Sequence, residues 1–127
     1  MYTDPIADLL TRIRNAARAR KDTLTAPYSK IKENMLAVMK EKKMIIDYKV
    51  TKENEHKVLS VELDENRRKI ELKRVSKPGQ RIYVKSVDIK KVNGGLGISL
   101  ISTPKGILTG DEAKKRNLGG ELICEII

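Results

Sequence analysis

Residues 44–63 read M-I-I-D-Y-K-V-T-K-E-N-E-H-K-V-L-S-V-E-L, and along this stretch the hydrophobic period changes. Met44, Ile46, Tyr48 and Val50 fall at every second position, as do Leu59, Val61 and Leu63. A period of two is that of a strand, whose side chains alternate between faces. The intervening Lys52–Lys57 segment is polar, so the stretch predicts two antiparallel strands joined by a hairpin turn.

Upstream the period is helical. Ile6, Leu9, Leu10, Ile13 and Ala17 form one stripe, opened by Asp4-Pro5. Asp4 suits the capping position, and Pro5 loses nothing at the first helical one. Leu24–Pro27 reads as a short extended piece. Ser29 then caps a second helix with Ile31, Met35, Val38 and Met39 as its core stripe. Lys30 and Lys32 sit in its first turn, where the helix dipole disfavours cations. A phosphate lying there would explain them, and so would the commonness of lysine. The first half therefore reads helix, strand, helix, strand, strand, with both helices on one face of a small sheet.

Downstream, Asp64–Arg68 has no apolar residue and marks the join between halves. Ile70, Leu72 and Val75 suggest a strand. Lys77-Pro78-Gly79-Gln80 suits a type II turn, with Gly79 at positive φ, and Arg81–Lys85 then returns as the second arm of a hairpin. Val87–Val92 fits a short helical turn. Asn93–Gly97 is a loop, and Ile98–Ile101 a buried strand. Thr109 and Glu112 make a capping box for a short helix that ends near Asn117–Gly120. Leu122–Ile127 closes as a strand. The fold class is α+β. An N-terminal α-β-α-β-β domain, residues 1–64, is expected to pack on a small, mostly antiparallel β C-terminal domain with a short helix, residues 65–127.

The chain has 127 residues, no Phe, no Trp and a net charge of +10. Residues 1–64 carry 13 Lys/Arg against 10 Asp/Glu, a net +3, and the remainder 14 against 7, a net +7. A basic excess concentrated in one half suits a polyanionic partner, although scattered lysines also serve solubility. One cysteine, Cys124, excludes an internal disulfide, and it sits in an apolar strand pattern that suits a buried thiol. The only histidine, His56, falls in a charged turn, so neither a metal site nor a nucleophile–base pair is in view. No cofactor is implied, and the glycine-rich Asn93–Gly97 lacks the signature of a phosphate loop. There is no long apolar span and no signal-peptide pattern, so the expectation is an intracellular, soluble protein with no membrane partner, no small-molecule substrate and no enzymatic activity.

Binding hardware is better represented. Alternation puts Arg81, Tyr83 and Lys85 on one strand face and Ile82 and Val84 on the other. Two cations flanking an aromatic ring suit a nucleic acid with a stacked base; an edge tyrosine shielding the core gives the same pattern. Ser102, Thr103, Lys105 and the Gly106 backbone form a polar turn that suits nucleic-acid backbone, or a plain hairpin connection.

Three segments together carry a family resemblance. Thr3-Asp4-Pro5-Ile6-Ala7-Asp8-Leu9-Leu10-Thr11-Arg12-Ile13-Arg14-Asn15-Ala16 resembles the opening of bacterial small-subunit ribosomal protein eight. Ser76-Lys77-Pro78-Gly79 followed by Arg81–Lys85 resembles that family's middle hairpin. Asn93–Ile98, Ser102-Thr103, Gly106, Leu108-Thr109, Glu112-Ala113 and Gly119-Gly120-Glu121 resemble its C-terminal signature. The resemblance runs nearly end to end and in order. It implies a two-domain α+β protein that binds the central domain of small-subunit ribosomal RNA early in assembly, among neighbouring small-subunit proteins. It further implies a place in the ribosome of the cytoplasm or an organelle, no obligate homo-oligomer, and binding of its own messenger RNA in some bacteria.

By matching position, Ser102, Thr103 and Gly106 belong to the family's RNA-contact loop. Tyr83 would pack near a base or sugar, and Lys85 would reach a phosphate. Glu121 follows the paired glycines beside that loop, and Thr3, Asp4, Arg12, Asn15 and Lys30 would meet RNA backbone. The chain departs at Pro104, where the family usually has a second serine, and Pro104 has neither hydroxyl nor N–H to offer. The Asp64–Arg68 join is also short for the family. The rival to a ribosomal role is a general double-stranded RNA or DNA binder outside the ribosome.

Overall fold

The computed structural model describes residues 4–64 and 70–127. They form two compact units: residues 5–70, and residues 71–127 together with Asp4.

In the first unit, helix α1 (Pro5–Arg18) and helix α2 (Lys30–Glu41) cover a three-stranded antiparallel sheet of β1 (Thr23–Pro27), β2 (Asp47–Glu53) and β3 (His56–Glu62), in the order β1-β3-β2. The expected order of elements is observed. Ile6, Leu9, Leu10, Ile13 and Ala17 of α1 are buried as their spacing requires. Met35, Leu36 and Met39 of α2 and Leu59 and Val61 of the central strand are buried as well, which makes the core of this unit aliphatic. Burying each large side chain is worth about 1.5–3 kcal/mol. On α2 the stripe is shifted: Ile31 and Val38 are only half-buried, and Leu36 and Lys32 take buried positions.

The alternation from Met44 is corrected by the helix end. Lys43 adopts φ 61°, the Lys43 N–H bonds to the Lys40 carbonyl, and the Met44 N–H bonds to the Met39 carbonyl. This is a Schellman ending with Met44 packed back on the helix. Met44 and Ile45 are therefore buried together, Ile46 is exposed, and β2 begins only at Asp47. The hairpin is also tighter than expected. Asn54 (φ 49°) and Glu55 (φ 69°) form a two-residue turn of the primed type, and the strands run through most of the polar Lys52–Lys57 segment.

The second unit is built on β8 (Gly120–Ile126). One edge of β8 pairs with β6 (Ile98–Thr103), which pairs in turn with β7 (Gly106–Thr109). The other edge pairs first with β4 (Leu72–Arg74) and then with β5 (Tyr83–Val84). β4 and β5 thus lie end to end along one strand, not as a hairpin with each other, and Lys77–Gln80 is a closed excursion between them. Its Lys77 and Gln80 exchange both backbone hydrogen bonds. Gly79 is not at positive φ, so the turn is not type II. Ser86–Asp88 is a 3-10 turn, and the Asn93–Gly97 loop does need unusual angles, with φ 49°, 64° and 97° at Asn93, Gly94 and Gly95.

Helix α3 (Gly110–Lys115) starts on the expected cap, the Glu112 N–H donating to the Thr109 hydroxyl at 3.3 Å. It ends with Asn117 at φ 55° in another Schellman arrangement, so neither Gly119 nor Gly120 serves as its cap. Ala113 of α3 packs on Ile101 and Ile89, with Val84, Leu108 and Leu122 around them.

Candidate nucleic-acid interface

Strand period places the candidate residues. The core under α3 takes Ile101, Leu122 and Val84, so their neighbours in sequence face the other way. Across that opposite face the register aligns Tyr83 with Glu121, Glu121 with Ser102, and Ser102 with Ile107. Residues directly opposite in adjacent antiparallel strands stand about 4.5–5.5 Å apart, so this row forms one surface. Arg81, Tyr83 and Lys85 are all exposed and Ile82 and Val84 half-buried, which is the expected division; the Tyr83 ring is 70% exposed.

Glu121 is the one acid of the row, and it is turned inward. The fully buried Ser76 hydroxyl donates to Glu121 Oε2, and Arg81 Nη1 donates to the same oxygen at 2.9 Å. The Ser76 oxygen also accepts from the Ile82 N–H at 3.1 Å, closing the Lys77–Gln80 excursion. Burial alone would push the Glu121 carboxyl up. The Ser76 and Arg81 hydrogen bonds and the Arg81 charge outweigh it and hold the carboxyl below its ordinary value. The same pairing raises Arg81.

The β6–β7 turn is rigid for visible reasons. Thr103 pairs with Gly106, enclosing Pro104 and Lys105. Pro104 supplies the fixed φ favoured at the second position of such a turn, and Gly106 takes φ 106° at the fourth. The Thr103 hydroxyl donates to the Gly106 carbonyl at 2.7 Å and accepts from the Lys105 N–H at 3.1 Å. Its proton is therefore committed within the turn, and one oxygen lone pair remains for a partner. Pro104 fits the turn because its position asks for no N–H. Lys105 is exposed at the tip, and Ser102 is half-buried in the row.

The paired glycines make this surface possible from behind. A Cβ on Gly120 would collide with the Ser102 carbonyl, and one on Gly119 would come within 2.5 Å of the Val84 carbonyl. Bare backbone at both positions lets β5 and β6 close on β8.

The N-terminal candidates are more dispersed. Thr3, and residues 65–68 of the expected join, lie outside the described residues. Asp4 is engaged by Arg74, whose Nε donates to Asp4 Oδ2 at 3.1 Å, and both side chains are largely covered. In the first unit Arg12, Asn15 and Lys30 are exposed. Arg12 pairs with Asp8 at 2.9 Å and donates to the Thr25 carbonyl at 3.0 Å. Lys32, whose place in the first turn a phosphate would explain, is instead 4% exposed and donates from Nζ to the Pro27 carbonyl at 2.9 Å. Burial lowers its pKa. A feature that periodicity does not reveal is Tyr28, with Lys57 Nζ 5.1 Å from its ring centre and its hydroxyl donating to Glu33. Tyr28 and Lys57 line a shallow groove with Arg12 and His56.

Among the described residues, no group of three or more His, Cys, Asp or Glu could hold a metal ion, and no helix is long and apolar enough to cross a membrane. Cys124 is fully buried, and burial pushes its thiol up to about 12.

Comparison with known proteins finds relatives along nearly the whole chain. The family described as "Ribosomal protein S8" matches residues 4–127. The small ribosomal subunit protein uS8 of Acidobacterium capsulatum is 47% identical over 98% of this chain and 97% of its own. That of Nitratidesulfovibrio vulgaris is 51% identical over 99% of both, and that of Kosmotoga olearia 45% identical over 99% of both. With a family match from Asp4 to Ile127 and relatives matched over nearly their full length, the chain belongs to the ribosomal protein S8 family.

Proposed function

We propose that this protein is a structural, non-enzymatic component of the small ribosomal subunit that binds the central domain of small-subunit ribosomal RNA directly and organises its folding. The observation that carries the reading is the open sheet face of the second unit. There Arg81, Tyr83 and Lys85 stand exposed along the segment that contains β5, and the stiff Ser102–Gly106 turn lies two strands away. Lysine and arginine neutralise phosphates and release counterions, which supplies salt-sensitive affinity. Tyr83 offers a face for an unstacked base or a sugar. The turn presents the Thr103 oxygen and the bare Gly106 backbone to 2′-hydroxyls and base edges. Arg12, Asn15 and Lys30 contribute backbone contacts from the first unit. The same recognition extends to a similarly folded element in the protein's own messenger RNA, and the setting is the cytoplasmic ribosome with its neighbouring small-subunit proteins.

A competition assay tests this. The protein is titrated with a central-domain ribosomal RNA fragment against a scrambled hairpin of equal length across a salt series. The fragment should win by at least 10²-fold at physiological salt, and its advantage should persist as salt rises, because shape and base contacts are less screened than phosphate contacts. Equal binding of the two RNAs would make the protein a general nucleic-acid binder instead.

A further inference from the structure

The acid at the centre of the proposed RNA face demands an explanation. A carboxylate between Tyr83 and Ser102 should repel phosphate. We infer that Glu121 is a positioning residue and not an RNA ligand: anchored by the buried Ser76 hydroxyl, it fixes the Arg81 guanidinium beside Tyr83 and is neutralised by it. This inference rests on the RNA-binding reading of that face.

Three observations carry it. The Glu121 side chain is 18% exposed and that of Arg81 48%, so the cation, not the anion, is presented outward. One carboxylate oxygen, Oε2, receives both the Ser76 hydroxyl and Arg81 Nη1, which directs that oxygen into the protein. Ser76 is completely buried and binds β8 through its N–H to the Leu122 carbonyl and the Arg81–Tyr83 segment through the Ile82 N–H. A buried serine whose hydroxyl donates to one carboxylate and accepts from the Ile82 N–H, and whose own N–H is tied to β8, is a rigid mount. A guanidinium has five N–H donors in a fixed fork, and the Glu121 pair uses Nη1, so the mounted Arg81 can also grip a phosphate.

The mount has an unusual genetic signature. Four proteins are titrated with the central-domain fragment: wild type, Glu121→Gln, Arg81→Ala and the double variant, each checked for folding by thermal melting. Glu121→Gln should weaken the wild type by roughly fivefold to twentyfold, the scale of one charge-assisted hydrogen bond. In the Arg81→Ala background the same change should strengthen binding, because it removes an anion that no longer has its partner. An equal loss in both backgrounds would make Glu121 a direct RNA ligand, and no loss or a gain in the wild type would remove its positioning role; either result overturns the inference. Ser76→Ala provides the check if Glu121→Gln does not fold. It should weaken the wild type and leave the Arg81→Ala protein unchanged, and equal losses in both would again overturn the inference. If Arg81→Ala and Tyr83→Ala both bind the fragment like wild type, the RNA face itself is wrongly placed, which is a separate failure.

Discussion

Tyr83 stands directly opposite Glu121 in the β5–β8 pair, yet the two side chains do opposite things. The ring is open to solvent, and the carboxylate is folded back onto Ser76 and Arg81. Exposure and internal bonding are thus split between two residues on one rung of the ladder.

The ring should matter for binding and little for folding. Tyr83→Ala is expected to cost about 1–3 kcal/mol of affinity for the central-domain fragment, the range for a stacked base. Its melting temperature should stay close to wild type, because the ring buries little. Tyr83→Phe should retain most of the affinity. Filter binding together with thermal melts separates the two effects, and unchanged affinity for Tyr83→Ala would remove the ring from the interface.

Glu121 should leave a mark on acid stability. Its carboxyl is held below the ordinary value of 4.5 in the fold. The unfolded chain therefore binds the proton first as pH falls, and the stability from the paired form is complete above 4.5 and lost as pH drops through the lowered value. Melts from about pH 7 to 3 should show a steeper acid-side loss for wild type than for Glu121→Gln. Parallel curves would mean that the pairing contributes nothing to stability.

Lys32 should behave as a structural residue. Lys32→Ala removes the bond to the Pro27 carbonyl and the packing of the lysine stem, at an expected cost of about 1–2 kcal/mol in denaturant unfolding. Affinity for RNA should be unaffected. A loss of affinity with no loss of stability would restore the phosphate-binding explanation.

The paired glycines are the most sensitive backbone positions of the face. Gly120→Ala drives a methyl group into the Ser102 carbonyl, and Gly119→Ala crowds that of Val84. Backbone atoms cannot swing aside, so each should cost more than about 3 kcal/mol in urea unfolding. Gly79→Ala is the control, since nothing lies within 4 Å of its would-be Cβ. It should fall within about 0.5 kcal/mol of wild type.

Pro104 should stabilise the turn through the unfolded chain. Pro104→Ala should lower stability by about 0.4–1 kcal/mol, by returning backbone freedom that the ring removes. Pro104→Ser would show by direct titration whether a second hydroxyl adds affinity that the rigid ring does not.

Some of this was legible in the sequence and some was not. The α1 stripe and the order of elements were readable because both depend on local period. The exposure of Tyr83 followed from the same alternation. The partner of β5 was hidden, because nothing in Arg81–Lys85 says whether it pairs with the strand before it or with one some forty residues later. Lys43 in a left-handed conformation concealed a helix end that a glycine would have announced, whereas the end near Asn117 was readable although Asn117, not a glycine, makes the turn. The burial of Lys32 was not legible, because a lysine in a first turn normally faces water and its carbonyl partner is a matter of tertiary geometry. Ser76 was visible only as part of the Ser76–Gly79 motif; it becomes a mount only when Glu121 and the Ile82 N–H converge on its oxygen.

The layout of the second sheet has a further consequence for biosynthesis. β4, β5 and β6 all pair with β8, the last of them to leave the ribosome. A growing chain leaves β4 and β5 without a strand partner and β6 paired on one edge only until β8 emerges, while β1, β2 and β3 already have theirs. The second sheet is thus assembled at one late moment, when a single strand slides between waiting neighbours.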